Sequence, residues 1–278
     1  MIMRYDKNFD FADEARYEND EKITIFEEKH RLLHIKKIKI IDDIDAYHSK
    51  GNYISFEVKD LSEREISPNR LKIIISVLKE LINEINVKDN PHILMVGLGN
   101  NDFSSDALGP LTIKKINANS YLYDVSNKIS CIIPGVMKMT GLESASIIKS
   151  LVKEFNFDLV VVFDALATKN VDRLFKVIQI TDTQIIPGSG INNFRKSLNK
   201  EYLGVPLIAV GVSMVVTYSS IVENILDQIE NINLLSKEEK TKLNEHLNNG
   251  LVLTSKDNEE KVDYISLNLS KIFNQLFQ

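Results

Sequence analysis

Residues 159–163 read Leu-Val-Val-Val-Phe, an unbroken apolar run that closes on Asp164 and Ala165. A strand with one wet face alternates apolar and polar residues. A continuous run instead suits a strand covered on both faces, as in the parallel sheets of α/β proteins. A second run of this kind spans 93–98, Ile-Leu-Met-Val-Gly-Leu, and leads through Gly99 and Asn100 toward Asp106. In open parallel sheets, ligands and chemistry gather beyond the carboxyl ends of the strands. Asp106 and Asp164 are therefore expected to face one crevice, far apart in sequence as they are. Paired aspartates can divide acid and base work, because neighbouring like charges push their pKa values apart.

The remaining segments fit the same architecture. Strand-like runs lie at 35–41, 53–58, 129–133, 175–180 and 207–212. Ser67-Pro68 opens a helix, with Ser67 as N-cap and Pro68 at the first helical position. Leu71, Ile74, Ile75, Leu78, Ile82 and Ile85 then keep helical spacing, so one face packs on a sheet. A helix of about ten residues is expected from Asp106 through Ile116. Thr140-Gly-Leu-Glu143 reads as a capping box ahead of a helix carrying Ile147, Ile148, Leu151 and Val152. Strands alternating with helices imply βαβ units. The expected fold is one α/β domain over 1–278, with a mainly parallel sheet flanked by helices on both faces. Residues 1–30, rich in Asp, Glu, Lys and Asn, are expected to form a partly ordered arm, and 219–278 a C-terminal helical segment.

Composition narrows the function. With 44% hydrophobic and 26% charged residues the chain is ordinary for a globular protein. No apolar run reaches the ~18 residues of a membrane span, and acidic residues interrupt the N-terminus too early for a signal peptide. The sequence thus reads as cytoplasmic, without a membrane partner. A formal net charge of -5 gives no basic face for direct nucleic-acid binding. The single cysteine, Cys131, sits in an apolar run and reads as a core residue.

The chemistry can be weighed residue by residue. Gly97 and Gly99 after a strand invite a dinucleotide-binding reading, but the third fingerprint glycine and a ribose-binding acid are missing. They serve better as the tight turn that brings Asp106 to the sheet edge. Ser104-Ser105-Asp106 also has the make-up of a helix N-cap, so cap and catalyst stand as equal readings of Asp106. Asp164 resists a packing explanation, since a charge directly after an apolar strand rarely serves packing. The five histidines, His30, His34, His48, His92 and His246, all fall outside the loops that follow strands. That disfavours a Ser-His-Asp triad and a histidine-ligated zinc site; no metal and no cofactor are expected. Gly188, Gly190, Arg195 and Lys196 either shape a peptide groove and hold a carboxylate or form a solvated surface turn.

Several blocks, in order, resemble the germination proteases of spore-forming bacteria. They are Gly51 to Glu57, Gly97 to Pro110, Pro134 to Gly141, Asp164 to Ala167, Ile178 to Thr183, Pro187 to Gly190, Arg195-Lys196, Leu203 to Val212 and Leu251 to Lys256. The resemblance implies an endopeptidase that initiates degradation of small acid-soluble spore proteins, made as a zymogen, tetrameric, and working in the spore core. It carries the family's proposed catalytic aspartates onto Asp106 and Asp164. In that reading the pair activates water, and backbone amides around Gly97, Gly99 and Asn100, or at Gly135, stabilise the oxyanion. The core layout is also similar to the hydrogenase-maturation endopeptidases, which bind metal through Glu, Asp and His. The sequence departs from the germination-protease pattern at Ser104-Ser105, at Asn192 and Phe194, and at Ser213-Met214, with Thr217 where an acid is the rule. These departures keep two alternatives open: a non-catalytic paralogue that binds a protein partner through the same groove, and a metal-dependent maturation-type endopeptidase.

Overall fold

The computed structural model describes residues 21–44, 49–187, 196–218, 220–222 and 251–278. The strands are β1 (Ile23–Lys29), β2 (His34–Ile40), β3 (Gly51–Glu57), β4 (His92–Gly97), β5 (Lys128–Ile132), β6 (Leu159–Thr168), β7 (Val177–Thr181), β8 (Gln184–Ile185), β9 (Leu198–Asn199), β10 (Leu207–Thr217) and β11 (Val252–Leu253). The α-helices are α1 (Pro68–Glu84), α2 (Leu108–Ile113), α3 (Met137–Thr140), α4 (Ser144–Phe155), α5 (Lys200–Leu203) and α6 (Asn258–Leu276). The main sheet runs β1-β2-β3-β7-β10-β6-β4-β5, with β11 added to β10. The strands β10, β6, β4 and β5 pair in parallel, whereas β1, β2, β3 and β7 form an antiparallel flank. The α/β class and the parallel half agree with the sequence. The flank is antiparallel because β1, β2 and β3 follow one another without the crossover helix that parallel strands need.

Helices cover both faces, as expected. One face of β4 and β6, through Ile93, Met95, Val161 and Phe163, packs with Ile74 and Leu78 of α1 and Ile265, Leu269 and Phe273 of α6. Phe163 meets Phe273 edge to face at 4.9 Å and 87°, a geometry worth about 0.5–1.5 kcal/mol beyond burial alone. The other face, through Val160, Val162, Leu207 and Ala209, packs with Ala145, Ile148 and Val152 of α4 and Leu203 of α5. The α1 N-terminus is as read: Ser67 accepts from the Arg70 amide, and Pro68 occupies the first turn.

Five expectations change. Residues 23–29, assigned to the arm, form β1, whose seven residues pair with β2. β6 does not stop at Phe163 but runs to Thr168, because the long β10 supplies backbone partners as far as Val216. Thr140 and Glu143 form no capping box. Thr140 closes α3, accepting from the Leu142 amide at 3.2 Å, and Glu143 caps α4 without a side-chain bond because its carboxylate accepts from the Lys196 amide at 2.8 Å. The helix near Asp106 is a 3₁₀ turn, Ser104–Asp106, followed by the short α2. In the C-terminal segment β11 precedes α6, and 223–250 lie outside the described residues.

Candidate functional site

The loop after β4 is built around Asp106. The Asn100 N–H donates to the Asp106 carbonyl at 3.1 Å and to its Oδ2 at 2.9 Å. The Asp106 N–H in turn donates to the Phe103 carbonyl at 2.8 Å. Gly99 has φ +107, and a Cβ there would fall 2.0 Å from the Asp106 carbonyl oxygen. Only glycine allows the chain to double back this tightly. The N-cap position of α2 is Ala107, one residue beyond Asp106.

Close backbone approach brings this loop to the sheet. A Cβ on Gly109 would lie 2.3 Å from the Leu98 carbonyl oxygen and 2.5 Å from that of Phe163. One on Gly97 would lie 2.5 Å from the Gly109 carbonyl oxygen. These two glycines let α2 sit directly on the end of β4 and the middle of β6. The 3₁₀ turn that carries Asp106 packs on β6, β10 and α6.

Asp164 lies within β6 rather than after it. It is 3% exposed and pairs across the strands with Gly211 of β10. Its Oδ1 accepts from the Ala165 N–H at 2.9 Å. On its other side β4 ends at Gly97, opposite Phe163, and the Leu98 N–H still donates to the Phe163 carbonyl at 2.9 Å. Asp164 thus stands one residue beyond the carboxyl end of β4, on the same face of β6 as Val160 and Val162.

Gly97, Gly99, Asn100 and Asp106 belong to one loop, packed against the strand that carries Asp164. Gly135 lies in the neighbouring loop after β5, where its carbonyl accepts from Ser144 Oγ at 3.0 Å. Gly188, Gly190 and Arg195 lie outside the described residues. Lys196 is described: its amide and, at 3.5 Å, its ammonium both meet Glu143. The hydrogen bond from the Lys196 amide holds the Glu143 carboxyl below the usual glutamate range. Phe103, Ile133, Met137, Met139 and Leu142 leave exposed apolar surface on α3 and on the loops that follow β4 and β5.

The structure adds residues that pattern reading passed over. Gln179 of β7 is 3% exposed and occupies the same cross-strand row as Gly211 and Asp164, with Nε2 3.5 Å from Ser213 Oγ. A lone amide inside Val177-Ile-Gln179-Ile was the available signal. Thr217 closes β10, and its hydroxyl accepts from the Ser220 amide at 3.2 Å. His92 begins β4 at the opposite edge, its ring tilted against that of Phe157 at 4.2 Å, and burial lowers its pKa. Burial pushes the Cys131 thiol up to about 11, consistent with a packing residue. Among the described residues, no three of His, Cys, Asp and Glu stand together as a metal-ligating set, and no helix is long and apolar enough to cross a membrane.

The sequence model of the family described as germination protease matches residues 3–270. The germination protease of Caldanaerobacter subterraneus subsp. tengcongensis is 33% identical over 317 aligned positions, covering 100% of this chain and 96% of that protein. Those of Geobacillus sp. (strain WCH70) and Bacillus cereus (strain G9842) are each 36% identical over 189 positions, covering 64% of this chain. The aligned region spans about half of each of these two relatives, 51% and 52% respectively.

Proposed function

This chain belongs to the germination protease family, and from that premise we propose that it is an endopeptidase acting at Asp106 and Asp164. Its substrates in this reading are small acid-soluble spore proteins, cleaved in the cytoplasm of the spore core by a homo-oligomer that matures from a zymogen. The observation that carries the reading is the placement of Asp164. Asp164 is 3% exposed inside β6, where a carboxylate is tolerated only when hydrogen bonds or charges meet it, and the loop that closes on Asp106 packs against that same strand.

The chemistry proposed is attack by water. One carboxylate takes a proton from the water, whose oxygen adds to the scissile carbonyl carbon. The other, protonated, gives its proton to the departing amide nitrogen, so the pair exchanges roles over the cycle. The oxyanion would be met by backbone amides of the loops at Gly97, Gly99 or Gly135. The Asn100 amide already donates to Asp106, so its part is to hold that carboxylate. Gly188, Gly190 and Arg195 complete the proposed peptide groove.

Thr217 favours a second reading, a non-catalytic protein that keeps the groove for a protein partner. Its hydroxyl is engaged in capping the residues after β10, where the resemblance leads one to expect an acid. One experiment separates the two. The purified chain is incubated with a small acid-soluble spore protein, with and without EDTA, and the products are mapped by mass spectrometry. Discrete cuts that persist in EDTA and vanish in Asp164→Asn support the aspartate mechanism. An intact substrate supports the binding protein, and cuts lost in EDTA but restored by one divalent metal support the maturation-type endopeptidase.

A further inference from the structure

Helix α6 begins beside the turn that carries Asp106. Its first residue, Asn258, is 4% exposed, and its Nδ2 donates to Ser104 Oγ at 2.9 Å. The Thr254 hydroxyl directs its single proton between Asn258 Oδ1, at 3.2 Å, and the Met214 carbonyl, at 2.8 Å. Met214 sits at the register irregularity of β10, between Ser213 and Val215. A bulge of this kind takes a residue out of the ladder, and Thr254 satisfies the carbonyl so released. Earlier in the same strand, Gly211 pairs with Asp164. A hydrogen-bonded path therefore runs from β10 through Thr254 and Asn258 to Ser104, the first residue of the turn that ends in Asp106.

We infer that Asn258 is a positioning residue, fixing the Asp106 turn relative to the β6–β10 pair that carries Asp164. The inference rests on the reading above, in which the two aspartates act together. An amide side chain carries a donor at one end and an acceptor at the other, so it can bridge two hydroxyls in a fixed order. Alanine would leave Ser104 and Thr254 without that bridge and free the turn to shift. Displacements of about 1 Å in a reacting constellation cost roughly 100-fold in rate. The same helix supplies a control. Asn274 accepts from the Asn117 amide at 2.9 Å and donates to the Lys115 carbonyl at 3.1 Å, so it anchors α6 away from the turn.

The test compares Asn258→Ala, Ser104→Ala, their double variant and Asn274→Ala in the full-length chain. Two readouts are taken: steady-state cleavage of a spore-protein substrate, and amide hydrogen exchange of residues 98–107 by mass spectrometry. Asn258→Ala should lower kcat by roughly 10- to 100-fold with KM nearly unchanged, and should speed exchange in 98–107. The double variant should be no worse than Asn258→Ala, since both changes cut one path. Asn274→Ala should lower the melting temperature while leaving kcat and exchange of 98–107 as in the unmodified chain. A wild-type kcat and exchange pattern in Asn258→Ala, or fully additive effects in the double variant, would overturn the inference. If the unmodified chain cleaves nothing, the protease reading fails by itself. Exchange then decides alone: faster in Asn258→Ala but not in Asn274→Ala upholds the link, and unchanged exchange sinks it.

Discussion

The two halves of the main sheet treat charge in opposite ways. On the antiparallel flank, β1 buries none of its residues and β2 only three of seven, and the β2 lysines meet glutamates in or near water: Lys36 with Glu27 at 3.2 Å, Lys37 with Glu80 at 2.7 Å and Lys39 with Glu84 at 3.0 Å. In the parallel half the first six residues of β6 are all buried, and one of them is Asp164. Exposed pairs contribute little and cost little. A buried carboxylate costs several times more. The flank therefore keeps its charges near water, while the parallel half buries an ionisable side chain that packing alone does not call for. Position in the sheet, more than residue type, separates a structural acid from a candidate catalyst.

The sharpest way to break this contrast is to neutralise the buried half. Asp164→Asn and Asp106→Asn should each reduce cleavage by about 10²–10⁴-fold, the range general acid–base groups supply, while both variants keep the native fold by circular dichroism. Near-wild-type turnover in either variant would return that aspartate to the structural class.

Next in size is the approach of α2 to the strands. Gly109→Ala places a Cβ 2.3 Å from one backbone oxygen and 2.5 Å from another, and neither can rotate away. Overpacking of this kind costs roughly 1–3 kcal/mol, and α2 should carry the Asp106 turn with it. Urea denaturation and kcat should therefore fall together. A stable, fully active Gly109→Ala would show that the loop tolerates displacement.

How far the sequence reveals this site depends on how local each signal is. The run 159–163, the Ser67-Pro68 helix start and the apolar faces of α1 and α4 are legible because burial and capping act over a few residues. Asp106 is ambiguous in sequence because the same Ser-Ser-Asp suits a cap, and only the fold shows its carboxylate turned back to the Asn100 amide. The capping box at Thr140 and Glu143 fails for a tertiary reason, the competition of the Lys196 amide for the Glu143 carboxylate. The length of β6 depends on β10, and the bridge at Asn258 depends on contacts across more than a hundred residues. No window of local sequence contains such pairings.

A third prediction concerns a partly buried acid on the flank. Asp182 follows β7 and accepts from the Asn52 amide at 2.7 Å and from its side chain at 2.8 Å. Burial outweighs those bonds and raises its pKa above the ordinary aspartate range. A raised folded-state value means that the folded chain holds a proton the unfolded chain has already lost. This contribution to stability is full below the unfolded pKa and fades as pH rises through the folded one. Melting temperature followed across that acidic window should show the decline in the unmodified chain and not in Asp182→Asn. Equal slopes for the two proteins would remove Asp182 from the account.

The smallest effect is expected from the exposed charges. Lys37→Ala, which breaks the pair with Glu80, should change stability by less than about 1 kcal/mol, and the change should shrink with added salt. A loss of several kcal/mol in urea titrations would mean that the flank's charges do more than solvate it.

The shared role of the two aspartates is tested most directly by the pH dependence of cleavage, measured alongside sedimentation to follow assembly. Two carboxylates that compete for one proton titrate as a unit, and the active form is the singly protonated pair. Activity should rise and then fall with pH while the assembly state stays constant, and both limbs should be lost in Asp106→Asn and Asp164→Asn. A profile flat from acidic to neutral pH at constant assembly would contradict a proton shared between Asp106 and Asp164.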